Sequence, residues 1–216
     1  MPVTVILAEK AAVEKEIASF LAQQQGGRSR REECGYRLPN GDFVGYTNGH
    51  LIDMAPIDHY LAPELAWEDP FTYLPVIPQV HKRSPRPARK EDGTVVTRDG
   101  APVPDPLYVA IEREVKAADV IINAGDKGRE GQLVMDELFR QLGIDPAGPN
   151  ILRAAVTDMH PKALEKAFAE LTPNGLPRWQ FSGEAARARQ EGDWLVGFNG
   201  SRAYQSLLHD RAVAVG

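Results

Sequence analysis

The chain has 216 residues, 43% of them hydrophobic, a formal net charge of −5 and one cysteine. That is enough for one core of ordinary size and the start of a second, and no apolar run approaches the length of a membrane span. An acidic chain also lacks the uniform positive field of an indiscriminate nucleic-acid binder, so any grip on phosphate must come from local segregation of charge.

The first residues lack the apolar stretch of a secretory leader, and the lone Cys34 excludes an intrachain disulfide, so a soluble protein of a reducing, cytoplasmic setting is expected. Residues 3–7 form an apolar run that predicts a strand. Glu9 and Lys10 follow it, and then a helix with Val13, Ile17, Phe20 and Leu21 on its inner face.

Between Gly35 and Ile52, short alternating pieces flank Pro39-Asn40-Gly41-Asp42, which predicts a β-hairpin turned by Asn-Gly. His50 comes next, in Gly49-His50-Leu51. A single histidine beside a glycine suits a structural role, and it also suits a contact with phosphate or sugar.

Residues 62–106 carry Pro75, Pro78, Pro85, Pro87, Pro102, Pro104 and Pro106, which refuse the interior of a helix. A looped connection is expected there, with a small hairpin pairing 94–97 with 101–103 about Arg98-Asp99-Gly100. Basic side chains gather at 81–90, either as a solvated face or facing phosphate. Residues 107–118 predict a helix that buries Val109, Ile111 and Val115.

The most informative stretch is 119–142. Val120, Ile121 and Ile122 predict a strand, Gly125 and Gly128 break it, and Leu133, Val134, Leu138, Phe139 and Leu142 recur at helical spacing. Ligands of open parallel sheets collect at the carboxyl ends of strands, which is where Asp126, Lys127, Arg129 and Glu130 fall. Two carboxylates four residues apart can share a hard divalent cation; a charged helix start is the plain alternative. Residues 151–156 then predict a strand. A helix starting near Pro161 carries Ala163, Leu164, Ala167, Phe168 and Leu171 inward, and it ends at Thr172-Pro173-Asn174-Gly175. From Ser182 the chain turns long, helical and rich in Arg and Ala.

The pairing of Ala8-Glu9-Lys10 with NAGDKGREGQLVMDEL resembles the metal-binding Toprim domain of type IA DNA topoisomerases, most closely the topoisomerase III branch. GHLIDMAPIDHY from Gly49, LPVIPQVHKRSPRP from Leu74, ILRAAVTDMHPKALEKAF from Ile151 and DWLVGFNGSRAY from Asp193 match in the same order. The resemblance covers nearly the whole chain. It implies an α/β Toprim-type, Rossmann-like domain with a central parallel sheet over residues 1–175, carrying a Pro-rich insertion at about 81–106. The first helices of an α-helical domain lining a single-stranded DNA groove would occupy 182–216.

In that family a tyrosine attacks a phosphodiester, a strand passes through the gap and the break is resealed. The resemblance implies that Glu9 is the general acid or base and that Lys10 neutralises the scissile phosphate. Glu9, Asp126 and Glu130 would hold Mg²⁺, and Lys127, Arg129, His50, Arg187 and Arg202 would contact DNA. Trp194 either stacks on a base or packs in a helical core.

Two departures stand out. The family's Asp-x-Asp-x-Glu pattern is here Asp126, Gly128 and Glu130, so the middle carboxylate is missing. Three readings remain: a weakened Mg²⁺ site, a site that needs no metal, and a degenerate domain that only binds. The survival of Glu9, Lys10, Asp126, Arg129 and Glu130 favours the first. The family's nucleophilic tyrosine lies beyond the matched region, and Tyr60, Tyr73 and Tyr204 match no such position. A fragment or truncated relative, inactive alone and completed by the remainder of a topoisomerase chain, is therefore expected.

Overall fold

The computed structural model describes residues 2–67, 69–208 and 214. In chain order its elements begin with β1 (Thr4–Ala8), α1 (Ala11–Gln24), β2 (Arg30–Arg31), β3 (Gly35–Arg37), β4 (Phe43–Tyr46) and β5 (Ile52–Met54). After three short 3-10 turns come β6 (Arg83–Pro85), β7 (Thr97–Arg98), β8 (Ala101–Pro102) and α2 (Pro106–Lys116). The chain continues with β9 (Val120–Ala124), α3 (Arg129–Gln141), β10 (Ile151–Arg153), α4 (Pro161–Ala169), β11 (Thr172–Pro173) and α5 (Pro177–Leu208).

Seven strands make one sheet in the order β11-β10-β9-β1-β4-β3-β2. Its four central strands, β10, β9, β1 and β4, are parallel, while β11 and β3 run antiparallel to their neighbours. The expected α/β class with a central parallel sheet is what the chain forms. Both faces of this sheet are covered, which is why its strands read as unbroken apolar runs. Val5 and Leu7 of β1 face a cluster with Ile111 and Val115 of α2 and Met135, Leu138 and Phe139 of α3. Ile6 and Ala8 face the opposite cluster, with Ile17 and Ala18 of α1 and Leu164 and Ala167 of α4. Ile17 and Leu138 are 0% exposed, so truncating either to Ala should cost about 2–5 kcal/mol.

Local chemistry sets the boundaries. Asp105 caps α2 by accepting from the Leu107 amide at 2.8 Å, and Pro106 occupies the first turn. The helix buries Tyr108, Ile111 and Val115, while Val109 is 50% exposed. The true inner face is thus spaced three and four residues apart, and the expected burial of Val109 is corrected. The hairpin of β3 and β4 turns at Gly41, whose φ of +94° is left-handed. Strand β10 stops at Arg153, short of the expected 156.

The chain divides into two compact units, one of residues 1–53 and 85–184, the other of residues 54–84 and 185–216. The first holds the seven-stranded sheet. In the second, Trp194 is 4% exposed and its indole N–H donates to the Ala55 carbonyl at 2.8 Å, with Tyr60, His81 and Phe198 packed about its rings. Of the segment expected at 182–216, residues 209–213, 215 and 216 lie outside the described residues.

Candidate functional site

Strands β1 and β9 are adjacent and parallel, with Ala8 opposite Ala124. From β1 the chain crosses by α1 toward β4; from β9 it crosses by α3 toward β10, in the opposite direction along the sheet. The two loops therefore part at a topological switch point, where open α/β sheets leave a crevice for ligands. Glu9 and Lys10 enter this crevice from one side, and Asp126, Lys127, Gly128, Arg129 and Glu130 from the other.

Lys10 and Gly128 are the N-cap residues of α1 and α3, and neither provides a side-chain cap. First-turn amides lack intrahelical partners, and the helix macrodipole adds partial positive charge at this end. The Lys10 ammonium donates to Asp126 Oδ2 at 2.6 Å and lies 3.9 Å from Glu9 Oε1. Glu9 is largely covered, at 16% side-chain exposure, whereas Lys10 is 57% exposed and Asp126 45%. The hydrogen bond to Asp126 first, and the charges of Asp126 and Glu9 next, raise the Lys10 pKa. Lys127, Arg129 and Glu130 are exposed on the loop and the first turn of α3.

The Glu9 carbonyl accepts from the Gly49 amide at 3.3 Å, and Thr47 donates from its amide to the Ala8 carbonyl at 3.0 Å. Asn48 and Gly49 both take left-handed φ values, 52° and 76°, and the tight turn delivers His50. Its Nδ1 meets Glu137 Oε2 at 3.1 Å, and its carbonyl accepts from Arg86 at 2.9 Å. The histidine pKa is raised by the Glu137 hydrogen bond, against the effect of burial, with further contributions from the charges of Glu137, Glu130 and Glu9. His50 therefore belongs to the same electrostatic cluster as the two loops.

Beneath the acidic loop lies Arg153, only 1% exposed, which sequence reasoning misses. Its Nη1 donates to the carbonyls of Asn123, Gly125 and Ala154, each at 2.9 Å, and its Nη2 to that of Asp126 at 2.8 Å. Nε donates to Gln132 Oε1 at 3.1 Å. Burial lowers its pKa to about 10, so the guanidinium stays charged at neutral pH. The available signal is an arginine inside an apolar strand, which survives burial only when its donors are met. A further buried network links Gln132, Asp136, Asn174 and Asn123.

Gly131 packs so tightly on the loop that a Cβ there would fall on the backbone N and O of Asp126. Gly128 is different: its φ of −68° suits any residue, and a Cβ would meet nothing within 4 Å. Nothing in the backbone demands a glycine where the family pattern has a carboxylate.

Beside the loop is a cavity of about 350 Å³, lined by Val13, Gly125, Asp126, Lys127, Thr157 and Met159 among others. The expected Mg²⁺ ligands fare poorly as a cage. Among the described residues no three His, Cys, Asp or Glu side chains cluster as a ready-made metal site. Asp126 already accepts from an ammonium. With Asp126 turned to an ammonium and glycine at 128, Glu9, Asp126 and Glu130 in this arrangement form no preassembled cage, and an ion held by one or two carboxylates with water would have to displace Lys10.

Arg187 and Arg202 lie in the second unit. Arg187 is half-buried on α5. Arg202 donates through Nη2 to both oxygens of Asp58, at 2.6 and 2.8 Å. Tyr60, Tyr73 and Tyr204 belong to the same unit. No described helix is long and apolar enough to cross a membrane.

No family model matches the chain. It is 32% identical over 201 residues to the DNA topoisomerase 3 of Haemophilus influenzae, a match covering 92% of this chain and 27% of that protein. It is 33% identical over 205 residues to the DNA topoisomerase 3 of Salmonella typhimurium, covering 93% and 28%. For the Staphylococcus epidermidis protein of the same name the figures are 31% over 215 residues, 99% and 26%. The chain thus spans about a quarter of the length of these relatives, and the expected resemblance to topoisomerase III holds across nine-tenths of it. Among solved structures, full-length topoisomerase I from Thermotoga maritima matches with a TM-score of 0.55 at 16% identity, over 93% of this chain and 26% of that one. That likeness bears on the fold alone.

Proposed function

We propose that this chain, similar over 92% of its length to a DNA topoisomerase 3, is the Toprim-type, strand-binding part of a type IA topoisomerase acting on DNA in the cytoplasm. One observation carries the reading: Lys10, with Glu9 Oε1 3.9 Å from its ammonium, meets Asp126 across the crevice where β1 and β9 diverge.

In this reading a phosphate of a single strand is drawn to the Lys10 and Lys127 ammoniums, the Arg129 guanidinium and the open first turn of α3. His50, whose charged form the Glu137 carboxylate favours, adds a further donor. Glu9 sits beside Lys10, where its carboxylate can pass a proton to or from a sugar oxygen as the phosphodiester breaks and re-forms. Arg187 and Arg202 of α5 supply further phosphate contacts, Arg202 exchanging Asp58 for phosphate. Because the chain spans about a quarter of its relatives, the covalent attack is assigned to residues outside these 216, in a longer polypeptide or a partner chain.

The test has two arms. A labelled single-stranded oligonucleotide should bind with strong salt dependence. Replacing Lys10 and Lys127 by Ala should lower the slope of log K against log salt by about 1.4, at about 0.7 per lost phosphate contact. An unchanged slope sinks the interface. Exchanged for the matching segment of the H. influenzae topoisomerase 3, the chain should also support plasmid relaxation, and Glu9→Gln should abolish it. The missing carboxylate at Gly128 favours a second reading, a module that binds single strands without catalysis, and a chimaera that binds but never relaxes would select it.

A further inference from the structure

We infer that the cation serving phosphate in this crevice is the protein's own Lys10 ammonium, standing where a Toprim resemblance implies Mg²⁺, so that the chain binds single-stranded DNA without a divalent ion. The inference rests on the reading above and specifies its chemistry.

Three independent features carry it. First, the Asp126 carboxylate is engaged: Lys10 Nζ lies 2.6 Å from Oδ2 and 3.9 Å from Glu9 Oε1, so the ammonium sits between the acids that an ion would bridge. A dication placed there would stand against a fixed positive charge. Second, the loop sequence places the basic Lys127 and Arg129 among Asp126 and Glu130, and where the family pattern has a third acid it has Gly128. The open space and ordinary φ at Gly128 make that loss chemical rather than steric. Third, among the described residues no three ligating side chains converge.

Lys10 remains 57% exposed. An ammonium has three donor hydrogens; with one on Asp126, others remain for a phosphate oxygen, as a point charge without coordination demands. The ion pair does double duty: it holds Lys10 across the crevice and cancels the charge of Asp126, which would otherwise repel DNA.

The experiment is a calorimetric titration of Mg²⁺ into the chain, into Gly128→Asp and into Asp126→Ala, beside oligonucleotide binding in Mg²⁺ and in EDTA. The wild type should give no saturable heat and equal DNA affinity in both buffers. Gly128→Asp restores the acid at the N-cap of α3, a position that favours aspartate, so it should fold; it should gain saturable Mg²⁺ binding and a DNA affinity that EDTA lowers. Saturable wild-type heat that disappears in Asp126→Ala overturns the inference, as does a wild-type DNA affinity that collapses in EDTA. Heat absent from both the wild type and Gly128→Asp overturns the assignment to Gly128. Failure to bind DNA in either buffer refutes the proposed function instead, while the Mg²⁺ titration still reads the inference alone.

Discussion

His50 Nδ1 lies 3.1 Å from a carboxylate oxygen of Glu137, whose side chain is 1% exposed. The acid thus holds the imidazole toward its charged form, above the ordinary value of 6.5. The interaction is at full strength below that ordinary value and fades as pH rises through the raised one. If His50 contacts phosphate, single-strand affinity should fall as pH is raised above 6.5, in step with the histidine titration followed by NMR. His50→Gln should remove the step and weaken binding about tenfold at low pH, one charged hydrogen bond's worth. A flat profile in the wild type would assign His50 a structural role only.

Arg153 should behave as a clamp for the loop rather than as filler. Arg153→Met keeps the volume but strips donors from the carbonyls of Asn123, Gly125, Asp126 and Ala154. Urea unfolding should show a loss of about 3–5 kcal/mol, the cost of breaking a buried charged network. Arg153→Lys should recover only part, since one ammonium cannot reproduce the fork. A Met variant as stable as the wild type would refute the clamp.

Two glycines three residues apart should respond oppositely to alanine. Gly131→Ala drives a Cβ to 2.7 Å from the Asp126 amide nitrogen and must displace the loop. Thermal unfolding should report a cost of about 1–3 kcal/mol, the range for overpacking, with single-strand binding lost. Gly128→Ala should cost less than about 1 kcal/mol, a cap difference only, and leave binding intact. Equal costs would contradict the described packing.

Glu14 offers a test away from the crevice. It is 0% exposed on α1, and burial raises its pKa from 4.5 to about 7 against the pull of Arg31. The stability tied to its protonated form is complete below 4.5 and is lost as pH rises to about 7. Glu14→Gln, neutral at every pH, should be nearly silent in acid and stabilise by about 3 kcal/mol in mild alkali, because each tenfold change in proton affinity is worth about 1.36 kcal/mol. Paired melts across this range decide it; a difference independent of pH would place the charge on solvent.

Much of this architecture is legible in the sequence because one-dimensional signals coincide with buried surface. The apolar runs of β1 and β9, the Asn-Gly hairpin and the inner face of α3 are local patterns with local causes. Both halves of the crevice are readable as charged strand-to-helix turns, and β1–β9 pairing brings them together. Three things are not legible. Apolarity alone favours Val109 on the inner face of α2, yet Tyr108, with its polar tip, is the residue buried there, so spacing outranks apolarity. Arg153 escapes notice because its partners are mostly main-chain carbonyls, which leave no mark in sequence. The ion pair of Lys10 with Asp126 joins residues 116 positions apart, so no motif spacing could announce it.

The donors of Arg153 reach carbonyls 27–30 positions earlier in the chain. Those oxygens belong to the end of β9 and the loop after it, and they lack this partner until β10 pairs with β9. The shape of the loop is therefore acquired late, in the step that closes a long stretch of intervening chain, and not when α3 first winds. A nascent polypeptide that has emerged through Gln141 but not Arg153 would possess the charged side chains of the crevice and yet lack the clamp on the loop that carries Asp126.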